Sequence, residues 1–203
     1  MTDPVRFSLW FSDHSENDLL PRLARAAAVL PAEALERGVR EVKLTAVDWN
    51  QAALVEEAFE SGMALEAALE LVRPFAANDC ACELRLSWSL WIYDEAEWRQ
   101  RPISILFTSF GRAFADHDAA QEGDMVIDFG HDEIFLAELA PWTASTRQHL
   151  QANILQLLAF CHKLQAALAP LRRQLWSEAE DDSTLDLSER LAQRLQLSQL
   201  NLQ

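Results

Sequence analysis

The sequence predicts a single α+β domain in which a mainly antiparallel sheet of about six strands carries helices packed on one face. Segments of alternating apolar and polar residues indicate strands, and segments with apolar residues every three or four positions indicate helices. Four of the strands follow one another without a helix between them, which is typical of an antiparallel meander. With 203 residues, half of them hydrophobic, the chain is long enough for one sizeable core.

The predicted strands share an alternation of period two, which places their apolar side chains on one face. The clearest signal lies in residues 83–93, where Leu84, Trp88 and Ile92 are among the apolar residues at alternate positions. The six predicted strands are residues 5–11, 39–49, 83–93, 103–110, 125–129 and 134–139.

Helical spacing is predicted in four segments. Pro21 and Pro31 limit the first, and Pro74 ends the second, because proline cannot continue a helix. The third carries apolar residues at steps of three and four, which form a heptad seam, and Pro170 should kink or divide its last part. The four segments are residues 19–35, 51–73, 146–176 and 184–197.

The heptad seam in residues 146–176 has two interpretations. A helix that packs on a sheet shows the same spacing, and this is the more common case. A seam of this length also allows a homodimer, in which the last helix joins. We expect residues 1–176 to form the α+β domain, and residues 177–203 to form an acidic linker and a short C-terminal amphipathic helix.

A formal net charge of −15 is the strongest compositional feature. A field of this sign repels phosphates and anionic lipids, so we expect no binding to nucleic acid or to membranes. The charge favours a basic protein partner, although acidity also serves solubility alone. The sequence shows no signal peptide and no apolar stretch of the roughly 18 residues that a membrane span requires, so we expect a cytoplasmic protein.

Residues 126–135 contain Asp128-Phe129-Gly130, the tripeptide that holds magnesium in protein kinases. The glycine-rich loop, the strand lysine and the His-Arg-Asp loop of kinases are all missing from the sequence. A four-residue loop at 130–133 would pair Phe129 with Ile134 and gather apolar side chains on one face. We therefore interpret this stretch as the solvated tip of a hairpin.

Two loops that follow predicted strands contain an aspartate next to a histidine. Such pairs can ligate a divalent metal or share a proton, although caps and turns are their more common role. A third such pair, His131 and Asp132, lies in the predicted hairpin loop. This loop is expected at the opposite end of the sheet from His117, so the three pairs cannot form one metal site. The alternative ligand or metal site consists of Asp13, His14, Asp116 and His117, and no bound metal or cofactor is predicted.

The chain contains seven tryptophans. By alternation, Trp88 faces the core. Trp10 and Trp91 project from the opposite face of their strands, together with Tyr93. Either the long helix covers this second face, or the aromatic residues there form an exposed platform for a partner. Trp98 lies in the charged turn between two predicted strands, and it is the tryptophan that we most expect at an interface.

Catalytic motifs are missing from the sequence. We find no Gly-x-Ser-x-Gly elbow and no glycine-rich phosphate loop. Cys161 and His162 are adjacent on a predicted helix, so their side chains point about 100° apart and are poorly placed as a nucleophile and its base. Cys80, Cys82 and Cys161 are expected to be buried free thiols, because their number is odd and their spacing does not suit a metal. We predict no catalytic residues.

These observations predict a non-enzymatic, acidic protein-binding protein. Its concrete form is an inhibitor or immunity-type protein that neutralises a basic partner. One alternative is a small-molecule-binding protein or an enzyme with a pocket between sheet and helices, and another is a structural homodimer formed through the C-terminal helices. The residues predicted to contact the partner are Trp98, Trp91, Trp10, Glu178, Asp181 and Asp182.

Overall fold

Seven strands form one antiparallel sheet in the computed structural model, which describes residues 3–12, 18–136, 140–177 and 191. The strands are β1 (Pro4–Trp10), β2 (Val39–Ala46), β3 (Val55–Met63), β4 (Cys80–Asp94), β5 (Glu97–Phe110), β6 (Met125–His131) and β7 (Arg172–Ser177). Their order across the sheet is β3-β2-β4-β5-β6-β1-β7, and each runs antiparallel to its neighbours. The predicted fold class is confirmed, with seven described strands instead of about six.

The described helices are α1 (Leu19–Ala27), α2 (Ala32–Arg37), α3 (Leu65–Val72), α4 (Ala119–Glu122), α5 (Glu133–Leu136) and α6 (Ala144–Leu168), with a 3-10 turn at Arg73–Phe75. The four longer ones, α1, α2, α3 and α6, cover one face of this sheet. The four longer helices share one core with the apolar face of the strands, where Phe160 of α6 contacts the rings of Trp88 and Phe107. Among the described helices, none combines the length and the apolar character needed to cross a membrane.

The predicted helix at residues 51–73 is wrong over its first half, where the chain forms the edge strand β3. In the register of this strand, Val55 lies opposite Leu44 of β2. Alanine and glutamate favour a helix locally, but pairing with β3 satisfies backbone groups of β2 that would otherwise lack partners. Gly62 lies where the pairing of β3 with β2 is irregular, and glycine is required there because its φ is 77° and a Cβ would collide with the carbonyl of Arg37.

The predicted hairpin within residues 126–135 is also wrong. β6 pairs with β1, the first strand of the chain, so that Ile127 lies opposite Phe7. The carboxylate of Asp128 lies 3.4 Å from Nε of Arg6, and it therefore belongs to an ion pair between the two strands. Periodicity identified this strand correctly, but it could not identify a partner so far away in the sequence.

A short helix, α5, replaces the predicted strand at residues 134–139, of which the last three lie outside the described residues. Asp132 makes the turn between β6 and α5. Its N–H donates to the carbonyl of Asp3 (2.8 Å), and its carboxylate accepts the N–H of Asp3 (3.3 Å). These hydrogen bonds hold the turn beside the start of β1. After this turn the chain leaves the sheet and forms α5.

The predicted helix at residues 146–176 ends at Leu168, and the chain then continues as β7. Ala169 has a φ of 46°, which is typical of a helix end, and the proline that follows cannot continue the helix. Leu171, which the heptad spacing assigned to the seam, is 76% exposed. The seam up to Leu168 is confirmed as an apolar stripe, and it packs in the core.

Two residues of the predicted C-terminal segment 177–203 are described, and both belong to the domain. Ser177 ends β7 and lies opposite Val5 of β1. Leu191 is helical and fully buried in the main core. The predicted final helix therefore has at least one residue packed on the rest of the chain.

Both β4 and β5 are longer than the strands beside them. β2 pairs with β4 as far as Arg85, and β6 pairs with β5 from Leu106 onward. Residues 86–105 therefore extend beyond the sheet as a two-stranded ribbon, which we call the arm. A two-stranded ribbon alone is marginally stable in water, so the arm needs contacts from other elements.

Helix α6 supplies these contacts at the free edge of β4. Its Asn153 is fully buried and binds both backbone groups of Trp91: Oδ1 accepts the N–H (2.9 Å), and Nδ2 donates to the carbonyl (2.7 Å). Nδ2 also donates to the carbonyl of Ile134 in α5 (2.9 Å). A side-chain amide thus takes the place of a neighbouring strand and satisfies backbone groups at the free edge of β4.

We expect Asn153→Leu to lower the free energy of unfolding by about 3 kcal/mol, because three backbone groups lose their partners in a buried site. Urea denaturation followed by circular dichroism measures this. Gln148→Leu, a similar change at an exposed position of α6, should lower it by less than about 0.5 kcal/mol. Equal losses in the two variants would contradict the role given to Asn153.

A two-residue turn, Glu95-Ala96, joins the two strands of the arm. Both residues have positive φ, 49° and 67°, and Asp94 lies opposite Glu97 across the turn. Turns of this kind favour asparagine or aspartate followed by glycine, because a Cβ is strained in this conformation. The tip of the arm is therefore strained at two positions.

Ala96→Gly should raise the free energy of unfolding by about 1 kcal/mol, because glycine adopts a positive φ without strain. The thermal unfolding midpoint reports this change. Ala52→Gly serves as the control, since Ala52 is exposed and its φ is not positive, and it should be neutral or slightly destabilising. A lower midpoint for Ala96→Gly than for the wild type would rule out strain at the turn.

Candidate functional site

Aromatic side chains gather on one face of the arm. Tyr93 and Trp98 lie opposite each other in the register, and their ring centroids are 5.5 Å apart. Trp91 lies two residues before Tyr93, so it projects from the same face of the strand. Two of the predicted partner-binding residues, Trp91 and Trp98, are thus close together in the structure.

The first turns of α6 fix the positions of these rings. The ring centroid of His149 lies 4.2 Å from that of Trp91 and 5.2 Å from that of Trp98, and the His149 and Trp98 rings are nearly parallel (22°). The indole N–H of Trp98 donates to Oγ1 of the buried Thr146 (3.3 Å). Rings held by packing and by a hydrogen bond are suited to recognition, because little order must be gained on binding.

Helix α6 reaches this face because it crosses the free edge of β4. Phe160 packs against Trp88 on the core face, whereas His149 contacts Trp91 on the opposite face of the arm. Asn153 binds the edge between them. The long helix therefore covers the core face over most of its length and reaches aromatic residues of the second face only at its first turns.

A cavity of about 260 Å³ lies between the arm and α5. We call it the arm pocket, and its walls include Trp91, Tyr93, Trp98, His131, Glu133 and Ile134. A neighbouring cavity of about 390 Å³ shares Tyr93 and Trp98 and extends to His149. Two aromatic side chains, Tyr93 and Trp98, therefore line both cavities.

Acidic side chains lie around the tip of the arm, and arginine neutralises part of their charge. Arg99 lies 3.5 Å from Glu95 and 3.1 Å from Glu97. Glu133 differs, because it makes no ion pair with any residue that the structure describes. It lies in the first turn of α5 and lines the arm pocket, so a carboxylate without a basic partner adjoins the aromatic rings.

Trp10, the third tryptophan that was predicted to contact a partner, lies at the opposite end of the sheet from the arm. Its indole N–H donates to the carbonyl of Ala119 (2.5 Å), and the guanidinium carbon of Arg172 lies 4.2 Å from the centre of its ring. The chain's own residues therefore contact Trp10 from two sides. Trp10 does not share a surface with Trp91 and Trp98.

Asp116 and His117 lie in the connection between β5 and β6, also away from the arm. The carboxylate of Asp116 accepts the N–H of Trp49 (2.9 Å). His117 stacks on Phe110, with ring centroids 3.8 Å apart, and its Nδ1 lies 3.3 Å from Glu122. Both side chains therefore make contacts that stabilise this connection.

Several predicted site residues lie outside the described residues, namely Asp13, His14, Glu178, Asp181 and Asp182. A pairing of His14 with His117 therefore stays a prediction. His131 lines the arm pocket, at the other end of the sheet from His117, as the predicted strands indicated. In the described ranges, no group of three or more histidine, cysteine, aspartate or glutamate side chains is arranged to hold a metal ion.

The cysteines are free and buried, as predicted. Burial raises the pKa of Cys161 to about 12, and it also raises the pKa values of Cys80 and Cys82. Thiols with such pKa values stay protonated at neutral pH, whereas the thiolate is the nucleophile and the metal ligand. These cysteines are therefore core residues.

Sequence reasoning did not identify His149, Thr146 or Glu133 as parts of the site. His149 precedes the seam residue Leu150, a position that any solvated helix residue can occupy, so no signal marked it. Glu133 was assigned to the tip of a hairpin, because the helix α5 was not foreseen. Tyr93, in contrast, was expected on this face from the alternation of its strand.

No protein-family model matches this chain, and no curated protein or solved structure shows a significant similarity to it.

Protonation of His117 should destabilise the fold. Its side chain is 5% exposed, and its buried Nε2 has no hydrogen-bond partner among the described residues. Burial lowers the pKa of His117 below its ordinary value of 6.5, against opposing contributions from Glu122 and Asp124. The unfolded chain therefore binds this proton more readily than the folded chain, and stability falls as the pH decreases through about 6.5.

His117→Phe keeps a ring stacked on Phe110 and removes this titration. Between about pH 7 and about pH 5, the variant should lose less unfolding free energy than the wild type. Urea unfolding at both pH values measures the loss of unfolding free energy in each protein. Comparing these two losses cancels any difference in stability that the proteins already have at about pH 7. Equal losses in the two proteins would show that burial does not disfavour the charged form of His117.

Proposed function

We propose that this protein is a non-enzymatic binding protein that captures a basic protein partner, as an inhibitor or immunity-type protein does. The arm pocket carries this proposal, because it brings three aromatic rings together with a carboxylate that forms no ion pair in the described part of the chain. Tryptophan and tyrosine often anchor protein interfaces, since they bury a large area at a small cost in rotamer freedom.

The charge of the chain supports a basic partner. A formal net charge of −15 speeds the encounter with a positively charged protein and disfavours nucleic acid. The glutamates of β3 and α3 are exposed, so the negative field extends well beyond the arm. These residues are Glu56, Glu57, Glu60, Glu66 and Glu70.

The free cysteines support two further parts of the proposal. Their raised pKa values argue against thiol nucleophiles, which agrees with a non-enzymatic role. A reducing compartment keeps free thiols reduced, so these residues also support a cytoplasmic location.

A small-molecule-binding protein is the second candidate, and a cavity between α6 and β7 favours it. This cavity measures about 200 Å³, and its walls include Phe7, Cys161, His162 and Arg173. Sites for drug-sized ligands measure about 300–1,000 Å³. The cavity suits only a small ligand, and for that reason this candidate ranks below partner binding.

The heptad seam no longer supports a homodimer. Its residues Leu150, Ile154, Leu157 and Leu164 are buried within the chain itself. Side chains that pack in their own core are not available to a second copy. Of the three candidate functions, the homodimer therefore has the least support.

Affinity capture from the lysate of the source organism, at low and at raised salt, tests the proposed function. The wild-type protein should retain a basic protein at low salt, and raised salt should weaken retention because it screens exposed charges. Trp98→Ala should reduce the retained amount about tenfold or more, because an anchor residue at an interface often contributes 2 kcal/mol or more.

Phe75→Ala is the matched control for this experiment. Phe75 is also an exposed aromatic residue, but it lies in the 3-10 turn before β4, at the end of the sheet away from the arm. The control should retain the partner as the wild type does, and circular dichroism checks that both variants fold. Equal retention by both variants would reject the arm as the contact site, and an empty column at low salt would reject a basic partner.

A further inference from the structure

We propose that the arm pocket receives the side chain of one arginine presented by the partner. This inference rests on the proposed function and deepens it, because it names the chemical group that the pocket recognises. Three properties of the pocket lead to it: the aromatic rings in its wall, a carboxylate that pairs with none of the described residues, and the volume of the cavity.

Three aromatic side chains, Trp91, Tyr93 and Trp98, form part of the wall of the arm pocket. His149 stacks on Trp98, but it does not line the arm pocket, so the pocket contacts Trp98 away from this stack. Tyr93 lies beside Trp98 with an interplanar angle of 51°. A guanidinium group is attracted to the π electrons above such rings, and because it is planar it also stacks on them.

Glu133 supplies the matching charge. Within the described part of the chain it makes no ion pair, and it lines the same cavity as the aromatic rings. A carboxylate at this position favours a cationic group over a neutral one, and the two N–H bonds that arginine donates to a carboxylate favour guanidinium over ammonium. The negative charge of the whole chain adds long-range attraction.

The volume of the arm pocket suits one side chain. At about 260 Å³ it lies below the range of about 300–1,000 Å³ that is typical of sites for drug-sized ligands. Its walls are also positioned before binding, because Thr146 bonds the indole of Trp98 and Asn153 bonds the backbone of Trp91. An incoming arginine therefore orders few groups when it binds.

An NMR titration of the full chain with N-acetyl-arginine methylamide tests this inference. The indole N–H signals of Trp91 and Trp98, assigned from the single Trp→Phe variants, should shift until the site is saturated. N-acetyl-citrulline methylamide has almost the same shape without the charge, and it should cause no saturable shift. Equal binding of the citrulline compound, or of N-acetyl-lysine methylamide, would overturn the assignment to arginine.

Glu133→Gln should weaken binding of the arginine compound about threefold, as expected when a partly exposed cation loses an opposite charge. Glu57→Gln removes the same charge from the exposed edge strand β3, and it should leave the affinity unchanged. Equal affinities for the two variants would overturn the role of Glu133. Capture of a partner that depends on Trp98, without arginine binding, would reject this inference and leave the proposed function standing.

Discussion

The unequal lengths of the strands are the constraint on which the rest of the structure depends. Because β4 and β5 extend beyond β2 and β6, the arm leaves backbone groups at a free edge. Asn153 closes this edge at Trp91, and it also bonds the carbonyl of Ile134 in α5. One buried amide therefore joins the arm, the long helix and the short helix, and it does so where none of the described strands pairs with this edge of β4.

The candidate site follows from this closure. Since α6 must cross the edge of β4 to bring Asn153 to it, the first turns of the helix meet the aromatic face of the arm, where His149 contacts Trp91 and Trp98. The same amide positions α5, whose Glu133 forms part of the wall of the arm pocket. The contacts that stabilise the arm thus also arrange the rings and the carboxylate that we propose for partner binding.

The parts of the structure that could be predicted from the sequence are those that depend on residues close to one another in the chain. Alternation identified β1, β4 and β5, because the faces of a strand depend on adjacent residues. It failed at β3, where glutamate and alanine favour a helix although pairing with the preceding strand β2 makes this segment a strand. In the candidate site, alternation placed Trp91 and Tyr93 on one face. It could not associate His149 or Glu133 with them, since those contacts exist only after the helices have packed against the arm.

Hydrogen exchange at the backbone amide of Trp91 tests the central claim most directly. Because the fully buried side chain of Asn153 accepts this hydrogen, we expect the amide to exchange only when the whole chain unfolds. The free energy of exchange for this amide should then equal the free energy of global unfolding measured with denaturant. Fast exchange, as expected of an open strand edge, would contradict the claim that α6 closes the arm and forms the pocket.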